Sequence, residues 1–260
     1  MKRNLLAVAS LIALTLCERR WPLRRATAPA GRRFAVNVAV GAAGFGALAV
    51  TYGLVIPRTA RWAERRQIGL LRWMRVPAAV RTPLAIVLLD YTLWLWHWMN
   101  HRSATLWRFH AAHHVDVDLD ASTAVRFHPG ELLLSVPFRV LQILAIGVPL
   151  PALLAWESGV VFGVQFHHSN LRLPPTLERV LGWFVITPRV HGIHHSRRPR
   201  ELHSNFGTLL SLWDRLHRLR VTEVDQASIR IGIPGQRAGG GVASVAETLA
   251  LPFRHEPPGR

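Results

Sequence analysis

The 260-residue sequence contains a single cysteine, Cys17. No disulfide can therefore form within the chain, and neither a thiolate zinc site nor an iron–sulfur cluster can be built from it. Acidic residues are also scarce, since 15 Asp and Glu stand against 32 Lys and Arg and give a formal charge of +17. Any metal must use nitrogen or oxygen ligands, and the charge suits an anionic membrane surface or a nucleic acid.

Long apolar runs favour the membrane over nucleic acid. Half of the residues are apolar and only 18% are charged, which excludes a disordered chain. The arginines are spread along segments that flank apolar runs, and no helix-turn-helix or zinc-finger spacing accompanies them. We therefore predict a membrane protein without a nucleic-acid partner.

The first 82 residues predict a membrane-attached region. The apolar run 5–17 has 13 residues, and the six arginines from Arg19 to Arg33 would resist translocation, so we interpret it as an uncleaved anchor. The run 34–56 has 23 residues without a charge, enough for a transmembrane helix. The stretch 57–81, with seven arginines among apolar residues, predicts either a basic amphipathic helix in the headgroup region or a basic cytoplasmic loop.

A second apolar stretch, 132–166, is broken by glycine and proline at 147–151. Each half is short for a full crossing, so we predict a short or re-entrant helical hairpin. A hairpin returns the chain to the side that it left, so histidines before residue 132 and after residue 166 can face one another. The pattern as a whole predicts an all-α fold, an integral membrane helical bundle.

The histidines are strongly clustered, because 11 of the 14 lie between His97 and His195. They form three boxes with the spacings H-x-x-x-H, H-x-x-H-H and H-x-x-H-H, each of which places imidazoles on one helix face. The boxes are His97 and His101; His110, His113 and His114; and His191, His194 and His195, with His167 and His168 between the last two.

So many imidazoles beside apolar segments indicate bound metal, since burying them unpaired would be costly. Two ions sharing the boxes would use most of the set, whereas a single zinc site would leave most of them unused. Imidazole suits iron, zinc, copper and nickel alike, so the ligands do not select the element. Asp116, Asp118 and Asp120 follow the second box but lack the glycine and glutamate of a calcium loop, so we expect a polar turn there.

The chain from Pro83 to Arg220 resembles the membrane-bound fatty acid hydroxylase and sterol desaturase superfamily. The resemblance is carried by the three boxes in order and by the short motifs around them. These motifs are Asp90-Tyr91, Trp107-Arg108-Phe109-His110, Arg126-Phe127-His128-Pro129, His168-Ser169-Asn170, Thr187-Pro188, Asn205-Phe206-Gly207 and Leu212-Trp213-Asp214-Arg215.

The resemblance implies a non-haem enzyme with two iron ions that uses dioxygen and external electrons to oxidise a C–H bond of a lipid. It implies hydroxylation ahead of desaturation, an active site on the cytoplasmic face of the inner or plasma membrane, and a separate electron donor such as a reductase, ferredoxin or cytochrome. Zinc in a purified sample would be a substitute for iron, because zinc has no redox change. The domains would be a membrane region, 1–82, a catalytic domain, 83–220, and a C-terminal tail, 221–260.

The metal ligands that the resemblance implies are nine histidines: His97, His101, His110, His113, His114, His168, His191, His194 and His195. His128 and His167 compete for any remaining place, and His128 can instead support a ligand imidazole through a hydrogen bond. Asn170 and Asn205 are expected to be donors to ligands or turn formers. Asp214 and Arg215 are expected to form an ion pair or to lie on a solvated helix face.

Two other functions remain open at the level of sequence. One is a membrane zinc hydrolase, which is disfavoured because no carboxylate lies inside any box as a general base. The other is a non-catalytic metal-binding membrane protein.

The segment Leu216-His217-Arg218-Leu219 departs from the Phe-Gly-Thr that commonly follows the Trp-Asp-Arg motif in the superfamily. This departure leaves the lipid and its oxidised carbon undetermined.

Overall fold

The computed structural model describes residues 2–236 and 241–254. The predicted helical class is confirmed, since the described residues contain three isolated bridges but no strand. Two 3-10 helices, Ala121–Val125 and Leu251–Phe253, accompany the α-helices. The α-helices are α1 (Lys2–Arg20), α2 (Ala30–Arg65), α3 (Leu70–Trp73), α4 (Ala78–Arg102), α5 (Ala104–His114), α6 (Pro129–Ile146), α7 (Leu150–His168), α8 (Pro175–Leu181), α9 (Pro188–His194), α10 (Pro199–Leu202), α11 (Leu212–Leu216) and α12 (Val245–Ala250).

Two helices of the described chain, α4 and α6, are long and apolar enough to cross a membrane. A third span is possible if Ala30–Ala49 and Thr51–Trp73, which are bent by 46° relative to each other, act as one unit. Helix α2 continues through Pro57 to Arg65 instead of ending at Ile56. The basic segment 57–81 is therefore not a single amphipathic helix. It begins as a continuation of α2, includes the short helix α3 and ends in the first turn of α4.

The apolar core of the membrane region lies where α2, α4, α6 and α7 meet, and Leu89, Ile143 and Trp156 are buried in it. Helices α6 and α7 form the predicted helical hairpin, with 18 and 19 residues. The expectation that each half is short is wrong for α6, which is long enough to cross a membrane. It turns at Gly147, whose φ of +78° is the left-handed conformation that glycine favours. A Cβ on Gly69 would lie 2.2 Å from the Gly147 nitrogen, so the turn packs directly on the chain before α3.

The chain order of these helices places one end of the bundle around the histidines. Helix α4 ends there, α6 begins there, and α7 returns there at His168. The C-terminal segment packs on the same end, since Ile229 and Ile231 lie in one apolar cluster with Ile193. The segment after residue 220 therefore contacts the domain that carries the boxes.

The N-terminal region is joined to that end through a buried ion pair, and this corrects the expectation of a polar turn at 116–120. Arg33 donates to both carboxylate oxygens of Asp116, at 2.9 and 2.7 Å, and also pairs with Asp120. Asp118 accepts hydrogen bonds from the backbone N–H groups of Thr27 and Ala28. The three carboxylates anchor the start of α2, and this pairing with a residue 83 positions earlier gives no local signal in the sequence.

Candidate metal centre

Four helices bring histidines to one end of the bundle. The last turns of α4 carry His97 and His101, α5 carries the second box, α7 ends at His168, and α9 with the residue after it carries the third box. Residues three and four apart share a helix face, so each box presents its imidazoles together. Ser103 separates α4 from α5 and caps α5 by accepting a hydrogen bond from the Leu106 N–H at 3.4 Å.

The imidazoles collect in two groups, and within each group one nitrogen of every ring lies within 4.8 Å of the others. Eight of the nine members are buried, and only His97 is partly exposed. The nine residues are those that the sequence predicted as ligands, so the fold brings every one of them to this end. The first group is His97, His101, His110, His114 and His194, and the second group is His113, His168, His191 and His195.

Five of the nine rings are held by a hydrogen bond at Nδ1, which leaves Nε2 facing inward. The Nδ1 of His97 pairs with the Phe206 carbonyl at 2.9 Å, and that of His194 with the Ser204 carbonyl at 2.7 Å. His110 pairs instead with a carboxylate oxygen of Glu131 at 2.9 Å. Such outer contacts fix the orientation of a ligand imidazole and the nitrogen that carries the proton.

In the second group, the same kind of contact leaves two acceptor nitrogens facing each other, an unfavourable arrangement that a bound cation would relieve. The Nδ1 of His113 donates to the Arg126 carbonyl at 3.1 Å, and the Nδ1 of His168 donates to the Val164 carbonyl at 2.8 Å. Since a carbonyl can only accept, both neutral rings have a bare lone pair at Nε2. These two nitrogens lie 2.9 Å apart. Two nitrogens bound to one ion at right angles, with bonds of about 2.1 Å, would lie at about this separation.

Unpaired nitrogens in the first group also fit a metal. Among the described residues, both nitrogens of His101 and the Nε2 of His194 are buried without a hydrogen-bond partner. Leaving a buried polar atom unpaired costs about 1–3 kcal/mol, which coordination of a metal would remove. The donor set, entirely imidazole, suits iron and zinc equally.

Electrostatics keep five buried histidines outside the spanning helices neutral. Burial lowers the pKa values of five of them well below the usual value, and neighbouring imidazoles lower them further. Neutral imidazole is the form that binds a metal. The five are His113, His114, His191, His194 and His195.

His167 and His128 lie outside both groups. The His167 ring is 4.0 Å from that of His191, centroid to centroid, and neither of its nitrogens has a hydrogen-bond partner among the described residues. His128 caps α6, because its Nδ1 accepts from the Gly130 N–H and its Nε2 donates to the Leu249 carbonyl. Of the two alternatives for His128, support of a ligand imidazole through a hydrogen bond is wrong, since both of its nitrogens pair with backbone.

Asp214 and Arg215 do not form the expected ion pair. Asp214 is buried and accepts hydrogen bonds from Trp94 Nε1 and from the N–H groups of Phe206 and Gly207. Burial raises its pKa to about 6. Arg215 points elsewhere and donates to Ser211 Oγ and the Trp183 carbonyl. Asp214 thus fixes the backbone at Phe206, whose carbonyl in turn orients His97.

The two asparagines near the site bind backbone and not imidazole. Asn205 has a φ of +54° and donates through Nδ2 to the carbonyls of Val190 and Val221. Asn170 and Arg24 are joined by two hydrogen bonds, one from the Arg24 N–H to Oδ1 and one from Nδ2 to the Arg24 carbonyl. Both asparagines are therefore turn-forming residues in this fold.

Two contributors to the site were missed by sequence reasoning. Glu131 has no histidine-box neighbour in the sequence, yet it reaches His110 across 21 positions. Arg24 is buried against the third box, where a Cβ on Gly192 would lie 2.2 Å from Arg24 Nη1. Glu131 directly precedes the apolar stretch 132–166, which was its only signal in the sequence. The position of Arg24 had no signal.

Comparison with known proteins agrees with this geometry. The fatty acid hydroxylase family model matches residues 82–218, just over half of the chain. An ornithine lipid hydroxylase from Rhizobium tropici is 31% identical over 183 residues, which is 69% of this chain and 54% of that protein. An alkylglycerol monooxygenase from Xenopus tropicalis is 29% identical over 53% of the chain and 30% of its own length. A cholesterol 25-hydroxylase from Mus musculus is 25% identical over 57% of the chain and 53% of its own length.

The chain thus spans about half, or less, of the length of these relatives. No solved structure matches it significantly. The predicted family is nevertheless confirmed, because the family model covers all three histidine boxes and the motifs between them. The chain belongs to the fatty acid hydroxylase family.

Proposed function

We propose that this protein is a membrane-bound oxygenase that holds two iron ions in its nine-histidine centre and uses dioxygen to hydroxylate a C–H bond of a lipid chain. The observation that carries the proposal is the division of nine inward-facing histidines into two groups, each compact enough for one ion. The facing lone pairs of His113 and His168 support a cation in the second group. The unpaired nitrogens of His101 and His194 support one in the first.

Iron is proposed because the chemistry requires a redox-active metal. Bound iron would supply the dioxygen activation that attack on an aliphatic C–H bond needs, whereas zinc, the substitute expected in purified samples, cannot change oxidation state. The chain's own residues orient the imidazoles and exclude water. Phe206 is fully buried, and its ring lies 5.6 Å from that of His97 and 5.4 Å from that of His194.

The position of the centre supports a lipid substrate. The first box lies at the end of α4, and Glu131 at the start of α6 holds His110 of the second box. Since α4 and α6 are the two helices of the described chain able to cross a membrane, a chain in the hydrocarbon layer can approach the centre from the side. The relatives support this choice, since their names specify an ornithine lipid, an alkylglycerol and cholesterol. All three are hydroxylases or monooxygenases, which favours hydroxylation over desaturation.

We place the centre on the cytoplasmic face. The arginines of 19–33 lie at the histidine end, as the contacts of Arg24 with Gly192 and of Arg33 with Asp116 require. Segments rich in arginine are retained in the cytoplasm, although the seven arginines of 57–81 weaken the asymmetry. The chain is proposed to receive electrons from a separate reductase, ferredoxin or cytochrome.

The test combines metal analysis with labelled dioxygen. Detergent-purified protein from iron-supplied cells should contain about two metal ions per chain. Lipids from expressing cells grown under 18O2 should include a product that carries one labelled oxygen, and His194→Ala should abolish it. His217→Ala, at an exposed histidine outside both groups, is the matched control and should keep the product.

Other outcomes would overturn the proposal in defined ways. A lipid that only loses two hydrogens would identify a desaturase. Product formation without dioxygen would identify a hydrolase. A folded, iron-supplied sample without any transition metal would rule out the metal centre itself.

A further inference from the structure

A deep groove rich in arginine lies beside the metal centre, between the end of α1 and the segments at 117–122, 170–172 and 226–231. Its volume is about 1370 Å³. Nine arginines line it, against the three carboxylates of Glu18, Asp118 and Asp120. Six of these arginines are exposed along its rim: Arg19, Arg25, Arg32, Arg172, Arg198 and Arg230.

The carboxylates of the groove are engaged with backbone and with one arginine. Glu18 accepts hydrogen bonds from the N–H groups of Ala121 and Asn170, and Asp118 accepts from those of Thr27 and Ala28. Asp120 pairs with Arg33, which is also held by Asp116. The arginines that line the groove outnumber its carboxylates, so the groove presents a net positive charge to a ligand.

Arg24 lies at the base of the groove and is buried, with 9% of its surface exposed. Its Nη1 donates to Gln226 Oε1 at 2.6 Å and to the Pro188 carbonyl. Its Nη2 is buried and has no hydrogen-bond partner among the described residues, and no carboxylate lies within ion-pair distance of it there. A buried guanidinium without an anion is costly, and a bound carboxylate or phosphate would relieve that cost.

We propose that this groove binds the anionic headgroup, a phosphate or carboxylate, of the lipid substrate, with Arg24 as the residue that receives it. The assignment of the bound lipid as substrate rests on the proposed function. The location supports it, because Arg24 is packed against Gly192 of the third box and is hydrogen-bonded to Asn170, two residues after His168. A headgroup held here lies next to the segments that carry the second group of histidines.

A small anionic headgroup fits better than an acidic protein. The groove is larger than the ~300–1,000 Å³ of typical small-molecule sites, so it has room for a lipid headgroup. The unpaired Nη2 is buried, where the surface of a folded partner does not reach. The exposed arginines along the rim can then donate hydrogen bonds to the headgroup oxygens that Arg24 does not contact. An acidic electron donor that docks on the same rim is an alternative that the experiment separates.

The test measures binding by calorimetry on the detergent-purified, iron-loaded protein. The probes are dihexanoyl phosphatidate, dihexanoylglycerol as the uncharged lipid and inorganic phosphate as the free anion. Phosphatidate should bind more tightly than either of the other two. Arg24→Gln should weaken its binding by about tenfold or more, because it removes a charged hydrogen bond. Arg61→Gln, at an exposed arginine outside the groove, is the matched control and should change nothing.

A rim variant keeps the proposal testable if Arg24→Gln does not fold, as judged by circular dichroism and thermal unfolding. Arg25→Gln combined with Arg230→Gln changes only exposed residues and should also weaken phosphatidate binding by about tenfold. Unchanged phosphatidate affinity in this double variant overturns the proposal. If inorganic phosphate binds as tightly as phosphatidate, the groove is a site for a free anion. If an acidic ferredoxin binds and phosphatidate does not, the groove is a docking site for a protein. Both results also overturn it.

Failure of the two proposals can be told apart. A chain that binds phosphatidate in the groove but holds no metal would contradict the oxygenase and leave the anion site in place. A metal-loaded chain that oxidises a lipid but binds phosphatidate no better than dihexanoylglycerol would contradict only the headgroup site.

Discussion

The two histidine groups share members of the second and third boxes but are supported differently. The first group draws two members from α4 and includes the partly exposed His97, whereas every member of the second group is buried. In the first group, the carboxylate of Glu131 holds His110. In the second, backbone carbonyls hold His113 and His168.

This difference predicts that the two proposed metal positions are not equivalent. A carboxylate raises the basicity of a ligand imidazole more than a carbonyl does, and the first group also offers one more nitrogen. We therefore expect the first group to bind its ion more tightly. We also expect dioxygen or substrate to approach from the side of His97.

The largest expected effect comes from removing one ligand from each group in turn. His194→Ala alters the first group and His195→Ala the second, although the two residues are adjacent in the chain. Each variant should lose about one of two metal ions and more than about 100-fold of lipid oxidation, since losing a ligand should exceed the loss of an outer contact. Elemental analysis and mass spectrometry of lipids measure both.

His217→Ala serves as the control for this pair, because His217 is exposed and belongs to neither group. If either ligand variant retains the metal content of the parent, the division into two groups does not describe the metal sites. If both variants lose both ions, the two positions are coupled and not independent.

Glu131→Gln should give the next largest effect and should act on the first group alone. The amide can still accept from His110 but has no charge, so metal affinity at that position should fall by about 10 to 100-fold. Chelator titration of the metal-loaded protein would resolve a weakened ion beside an unchanged one. Glu64→Gln, which alters a carboxylate paired with Arg72 far from the boxes, is the control. Equal weakening of both ions would contradict the proposed asymmetry.

Asp214→Asn should have a smaller effect that again favours the first group. One oxygen of Asp214 accepts from Trp94 and Phe206 and the other from Gly207. An asparagine amide would place an N–H donor against one of these donors, at a cost of about 1–3 kcal/mol. The thermal midpoint should fall, and the ion near His97 should be held less firmly.

Asp90→Asn is a matched comparison, because Asp90 is equally buried and accepts from Trp213 and Leu210, with no bond to Phe206. It should lower the thermal midpoint without selectively weakening the first metal position. Equal effects of the two variants on that position would show that Asp214 acts only through general stability.

The clustering of imidazoles within each box was predictable. The division of the second and third boxes between two unlike groups and the links between distant segments were not. Helical spacing within the boxes predicts which imidazoles share a face, and the hairpin predicts that His113 and His168 can meet. No periodicity relates Glu131 to His110, Arg33 to Asp116, or Arg24 to Gly192, because each pair joins separate elements. The uncharged run also predicts a helix over residues 34–56, whereas α2 begins at Ala30 and continues through Pro57 to Arg65.

The smallest expected effect concerns His128, compared with His168. His168 belongs to the second group and faces His113, so His168→Ala should empty that position. His128 caps α6 by accepting from the Gly130 N–H, so His128→Ala should cost about 1 kcal/mol of stability, as for other helix caps. Metal content should stay at the parental value. Elemental analysis of the two variants, with thermal unfolding, separates the roles. Loss of metal from His128→Ala, with full metal in His168→Ala, would reverse the assignment and place His128 in the second group.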